Sequence, residues 1–221
     1  MTTLLRVDAS IRVDGSVSRA LADSAEAAWQ SEHPDGIVVR RDLGRHPIPA
    51  DVWPAVVAGN FGMPTPDDSD RADYASAKAL ADELAAELRS ADAVLLAVPL
   101  YNYGISQHVK TWLDVVMTDS ELLKGEVLRD KPVIFTLARG GGYSPGTPKE
   151  GWDYATPYLE RIFGELFNMH VRKAVAELTL APVSPGMESL IDASKVSEAE
   201  AHVTAKEHAA VVARRLTGAA A

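Results

Sequence analysis

The chain contains no cysteine among its 221 residues. That absence removes disulfides, thiol nucleophiles, zinc ribbons and iron–sulfur clusters together, since each needs a sulfur bond or ligand, and it is the composition expected of a chain kept in a reducing cytoplasm. Long apolar runs are missing too. The longest clean one, Ala93 to Leu100, falls far short of the ~20 residues a helix needs to cross a bilayer, and the opening MTTLLRVDAS has no basic leader before an apolar core. Neither a membrane anchor nor a signal peptide is expected. Positive charge is scarce: 22 Lys+Arg stand against 31 Asp+Glu, a net charge of −9, and Arg40-Arg41 and Arg214-Arg215 are the arginine doublets. Such a field repels polyanions, so no nucleic-acid partner is expected.

Two nucleotide fingerprints are absent as well. Gly140 and Gly142 are followed by Pro145 where the third Gly of a Gly-x-Gly-x-x-Gly turn belongs, which disfavours a dinucleotide held in Rossmann fashion. Gly141 and Gly146 have P-loop spacing, but Thr147 stands where a Lys must neutralise phosphates, so nucleotide hydrolysis falls with it. The six His residues offer no i,i+4 ligand pair, since His202 and His208 are six apart, and no metal site is expected.

What is present is an apolar fraction of 47% with 24% charged residues, enough to bury a sizeable core. β-Branched apolar runs recur at Leu4 to Asp8, Ile37 to Asp42, Ala93 to Val98, Pro132 to Ala138 and Val171 to Leu180. Between them lie segments with helical spacing: Arg19 to Glu32, Asp70 to Arg89, Ser106 to Met117, Asp153 to Phe167 and Val196 to Leu216. In the second of these, Ala77, Leu80, Ala81, Leu84, Ala85 and Leu88 trace one stripe, with Lys78 and Asp82 paired i,i+4 on the other side. Strands alternating with helices, and no linker or repeat, predict one doubly wound α/β domain over residues 1–221 with a five-stranded parallel sheet. The Pro-rich stretch from Leu43 to Ser69 shows no sustained period. Ile48, Val52, Trp53, Val56, Val57 and Phe61 make it too apolar to hang in water, so it reads as an ordered excursion over the surface.

In an open parallel sheet, ligands sit beyond the C-terminal ends of the strands, where the winding reverses. The loop after the first strand, Ser10 to Ser18, places hydroxyls and free N–H groups at a helix start, with Arg12 or Arg19 as counter-charge: an anion site, unless Ser16 or Ser18 merely caps the helix. After the third strand, Tyr101, Asn102, Tyr103 and Gly104 set two aromatics in a loop, where they either line a flat ligand or pack on neighbouring loops. Trp112, Tyr158 and Phe163 have helical spacing and read as core. After the fourth strand comes Arg139-Gly140-Gly141, and then Gly142-Tyr143-Ser144-Pro145-Gly146, which matches a nucleophile elbow with Asp153 or Asp192 and His170 or His202 downstream. Against a Ser144 hydrolase stand Pro145, which removes an N–H an oxyanion hole would use, and Pro148, which delays the helix.

One ligand accounts for all three loops: a phosphate on the first, a flat ring over the third, and a polar ring edge on the fourth. FMN has that shape. In these stretches the chain resembles the FMN-dependent NADH-azoreductases and the related flavodoxin-like quinone reductases. The matching residues are Ser10, Ser16 and Ser18; Arg41-Asp42-Leu43 with Pro47-Ile48-Pro49; Pro99-Leu100-Tyr101-Asn102-Tyr103 before Ile105-Ser106; Arg139-Gly140-Gly141; and Thr156-Pro157-Tyr158-Leu159. The resemblance covers nearly the whole chain. It implies a flavodoxin-like sheet of order 2-1-3-4-5 with helices on both faces, and a homodimer. It implies FMN with its phosphate on Ser10, Ser16, Val17 and Ser18, its isoalloxazine against Pro99, Leu100, Tyr101, Asn102 and Tyr103, and its pyrimidine side on Arg139, Gly140 and Gly141, with Tyr143 in ring contact. It also implies hydride transfer from NADH or NADPH to the flavin, then to a quinone or azo substrate, with no catalytic side chain because the cofactor carries the chemistry. A serine hydrolase, or a flavin-binding electron carrier without reductase activity, is the alternative. The segment 118–130 is shorter than in azoreductases and lacks their aromatics; Leu122 and Leu123 in their place predict a more open ring face that favours polycyclic quinones over small azo dyes.

Overall fold

The apolar runs form five parallel strands, β1 (Thr3–Asp8), β2 (Ile37–Asp42), β3 (Ala93–Pro99), β4 (Pro132–Ala138) and β5 (His170–Ala176), ordered β2-β1-β3-β4-β5. This is seen in a computed structural model that describes residues 1–63 and 73–219. Every residue of β3 and β4 is buried, as central strands covered on both faces require. Alternation then sorts β3 between two cores. Val94, Leu96 and Val98 face a layer holding Trp112, Phe163 and Phe167, while Ala93, Leu95 and Ala97 face Trp29 and the alanines 205, 209 and 213. Each fully buried Leu of this strand contributes about 1.5–3 kcal/mol.

Helices α1 (Val17–Glu32), α2 (Val52–Asn60), α3 (Tyr74–Ser90), α4 (Gln107–Val116), α5 (Ser120–Leu123), α6 (Ala155–Leu159) and α7 (Ile191–Ala219) cover the sheet, α1 and α7 on one face and α2 to α6 on the other. Side chains start three of them: Asp73 accepts from the Ser76 N–H at 2.9 Å, Ser106 from that of Val109 at 3.3 Å, and Asp119 from those of Glu121 and Leu122 at 2.9 and 3.0 Å. On α3 the predicted Lys78–Asp82 pair is made at 2.6 Å. Past Leu159, the α6 chain continues as π-helical turns over Glu160–Leu166.

The structure departs from the sequence expectations in three places. The excursion after β2 contains a helix, α2, disguised by Pro54 in its first turn and by Gly59; Val52, Ala55 and Val56 are its buried face. The predicted α3 start at Asp70, like residues 64–69 of the excursion, lies outside the described residues. Strand β5 stops at Ala176 instead of Leu180, because Leu178 adopts φ 60° and turns the chain across the sheet end. Helix α7 begins at Ile191, five residues before the predicted Val196. Among the described residues no helix is long and apolar enough to cross a membrane.

Candidate active site

Helix α1 leaves β1 on one face and α4 leaves β3 on the other, so a crevice opens between these neighbouring strand ends. Two joined cavities occupy it. The smaller, about 120 Å³, is lined by Ser10, Ser16, Val17, Ser18, Pro99 and Thr179, with Arg12 at its side. The larger, about 780 Å³, is lined by Asn102, Tyr103, Gly141, Tyr143, Lys149 and His108 among others. Leu100, Tyr101, Gly140 and Leu180 belong to both walls and connect them. The larger volume is that of a small-molecule site, and its lining is mostly apolar and aromatic.

The small cavity is built from donors. Ser16 occupies the N-cap position of α1 but makes no side-chain capping bond, and its Oγ lies 3.4 Å from that of Ser18, which is fully buried in the first helical turn. The capping expectation is not met. Ser10 Oγ accepts from the Arg12 N–H at 3.2 Å and sits 3.3 Å from the Tyr101 hydroxyl. Unbonded N–H groups at the start of a 16-residue helix add a positive potential. Of the two candidate counter-charges, Arg19 is spent elsewhere: it holds Asp42 at 2.7 and 2.8 Å and the Ser10 carbonyl at 2.8 Å. Arg12 lines the cavity and has no ion pair among the described residues. Gly44 makes this packing possible, since a Cβ there would lie 2.0 Å from the Ser10 carbonyl oxygen. No carboxylate among the described residues lines either cavity, so the donor set fits a phosphate and the adjoining cleft a flat ring.

Tyr101 and Gly104 close a two-residue turn through paired N–H to carbonyl bonds of 3.0 and 2.9 Å. Its central residues, Asn102 and Tyr103, both have positive φ (48° and 68°), as this turn type demands. A bulky residue seldom tolerates that region. Tyr103 is held there by the loop after β4: its carbonyl accepts from the Tyr154 N–H at 2.9 Å, and its ring meets Tyr143 and Trp152 edge-on, with centroids 6.4 and 5.4 Å away. Burial pushes the Tyr143 phenol up, keeping it protonated and able to donate.

Arg139 is placed differently from the expectation. Its guanidinium turns away from both cavities to Asp153 (2.6 Å), Glu177 (2.8 Å) and Thr156 (3.0 Å), so it fastens the loop instead of facing the cleft. Glu177 also accepts from the Tyr143 N–H at 3.1 Å. Sequence reasoning missed Thr179, Leu180, Lys149 and Trp152. The first two reach the site because the segment after β5 folds back, with Leu178, Thr179 and Leu180 donating N–H bonds to the carbonyls of Gly141, Arg139 and Gly140. A Cβ at Gly140 would meet the Leu180 side chain at 2.6 Å, so Leu180 lies close against this glycine.

The two histidines that could have served Ser144 are engaged elsewhere: His202 bonds Ser24 at 2.8 Å, and His170 lies 3.2 Å from Asp130. No cluster of metal ligands exists among the described residues. Among the described residues, the segment after Met117 adds nothing to this chain's own cleft: Leu122 is buried in the core and Leu123 lies exposed on α5.

The sheet order and the position of the crevice define a flavodoxin-like ligand-binding protein. Residues 2–203 match the family model described as flavodoxin-like fold, and the chain belongs to that family. A protein of Frankia casuarinae named FMN-dependent NADH:quinone oxidoreductase is 39% identical over 215 residues, covering 96% of this chain and 100% of its own. One of Streptomyces avermitilis with the same name is 37% identical, covering 97% and 99%. Among solved structures, an FMN-dependent NADH-azoreductase of Bacillus anthracis in complex with FMN shares the fold with a TM-score of 0.74 at 18% identity, covering 96% of this chain and 100% of that one.

Proposed function

We propose that the chain is an FMN-dependent NAD(P)H:quinone oxidoreductase that also accepts azo compounds, a single-domain cytoplasmic enzyme working as a homodimer. The observation that carries this is a donor-lined, carboxylate-free socket opening directly into a flat-ring cleft at the strand ends. The names of the relatives, 39% and 37% identical over nearly full length, support it. In this reading Ser10, Ser16, Val17 and Ser18 hold the phosphate and Arg12 adds a counter-charge. Pro99, Leu100, Tyr101, Asn102 and Tyr103 seat the ring, Gly140, Gly141 and Tyr143 meet its polar edge, and Arg139 anchors the loop that carries them. When bound, FMN would supply the redox chemistry, two-electron exchange between a nicotinamide and the oxidant. With one further proton from solvent, a hydride equivalent converts a quinone to its hydroquinone; cleaving an azo bond to two amines takes two such turnovers. The protein side chains orient and exclude water, and none serves as nucleophile. The exposed Trp53, Phe61 and Met63 at and just beyond α2 favour a partner surface.

The test is a visible spectrum of FMN-loaded protein, bleached anaerobically by NADH and restored by quinone, followed by steady-state kinetics. Parallel double-reciprocal lines are expected, because one cleft must hold nicotinamide and oxidant in turn. Bleaching without turnover would leave an electron-carrier module, and failure to bind FMN at micromolar concentration would overturn the reading.

A further inference from the structure

The chain carries a net charge of −9, yet the described wall of the ring cleft holds no Asp or Glu and one lysine, Lys149. Its ammonium lies 5.5 Å from the centre of the Tyr103 ring and 5.8 Å from that of Tyr143. Lys78, Lys110, Lys124, Lys173 and Lys195 each sit on a carboxylate. Lys149 has no ion pair among the described residues. The acids around it are committed elsewhere: Glu150 accepts from the Gly146 N–H, while Asp153 and Glu177 are held by Arg139. Aromatic faces attract a cation and fix its position without neutralising it. The half-buried ammonium therefore presents an uncompensated positive charge to whatever fills the cleft.

We infer that the cleft selects oxidants bearing an anionic substituent, a ring sulfonate or carboxylate, with Lys149 as the specificity-determining residue. This rests on the oxidoreductase reading above. A partly exposed ion pair of this kind is worth about two- to fivefold in selectivity.

The experiment compares kcat/KM for a naphthoquinone sulfonate with that for the parent naphthoquinone, in FMN-loaded wild type, Lys149→Met and Lys149→Arg. The intrinsic reactivity of each quinone cancels when the ratio is compared between proteins. Lys195→Met, which removes the same charge from exposed α7, is the control for the whole-molecule field. Calorimetric binding of redox-inert naphthalenesulfonate to the oxidised proteins gives a readout free of turnover. The expected result is a ratio about two- to fivefold lower in Lys149→Met, retained in Lys149→Arg and in Lys195→Met, with naphthalenesulfonate affinity falling in parallel. An unchanged ratio, an equal loss on both quinones, or the same fall in Lys195→Met would overturn the inference. Turnover of both quinones without charge discrimination refutes the role of Lys149 alone; no turnover of either refutes the parent reading and takes this one with it.

Discussion

Replacing Arg19 with Met tests whether the phosphate-side loop is held by one side chain. Met keeps the aliphatic stem and removes the guanidinium, and with it two bonds to Asp42 and one to the Ser10 carbonyl, all between 2.7 and 2.8 Å. Breaking a fully buried pair costs about 3–5 kcal/mol. Here the Asp42 side chain is 20% exposed and retains the N–H groups of Gly44 and Arg45 at 3.1 and 3.0 Å, so the expected loss at neutral pH is about 2–3 kcal/mol. The pH dependence has a definite sign. Burial pushes the Asp42 carboxyl up, but the hydrogen bonds from Arg19 and the Arg45 N–H outweigh it and hold the group below the usual carboxylate range. A carboxyl depressed in the folded state stabilises above its unfolded value, about 3.9, and that contribution disappears as pH falls through the folded value. The gap between wild type and variant should be full at neutral pH and close in acid, below about pH 4. Urea unfolding of the apoprotein across pH measures it, and titration with FMN should show about tenfold weaker binding as Ser10 loosens. A gap under about 0.5 kcal/mol at neutral pH, or one unchanged through the acid range, would refute the clamp.

Ser18→Asp places a carboxylate at the fully buried position beside Ser16, and like-charge repulsion should weaken FMN binding about a hundredfold by calorimetry; a change under about threefold would remove the phosphate from this socket. Tyr103→Leu keeps apolar bulk but loses two edge contacts worth about 0.5–1.5 kcal/mol each, so unfolding should show a loss of about 1–3 kcal/mol; a loss below about 0.5 kcal/mol would show that these rings do not hold the loop. Light scattering should give about twice the 23.7 kDa chain mass, and a monomeric value at working concentration would overturn the dimer.

What the sequence made legible follows from which interactions are local. The apolar run of β3 and the stripe Ala77 to Leu88 on α3 announce themselves because burial on both faces or on one face dictates residue type position by position. Helix α2 hid because Pro54 and Gly59 interrupt its pattern while the tertiary packing of Val52 and Val56 compensates. In the cleft, Tyr101 to Tyr103 were visible as aromatics in a loop with no core to fill. Lys149 and Leu180 were not, since they arrive from segments whose return to the site depends on the φ of Leu178 and on the Arg139 ion pairs. Arg139 itself was found but given the wrong direction: a motif names the residue, and only its partners Asp153 and Glu177 reveal where the side chain points.

The π-helical turns at Glu160–Leu166 bear on how this chain can change length. There the Phe167 N–H reaches the Ile162 carbonyl, five residues back, so the turn houses one residue more than an α turn would. Each residue advances an α-helix by about 100°, and a deletion inside α1 or α7 would swing every following side chain off its core face. Within these turns, a one-residue deletion restores α winding and leaves the flanking faces in phase. Phe163, edge-on to Phe135 and Phe167 and stacked on Trp112, holds the π turns against the core. The helix thus carries one residue of slack, and a one-residue deletion there is expected to leave the loops that line the crevice in place.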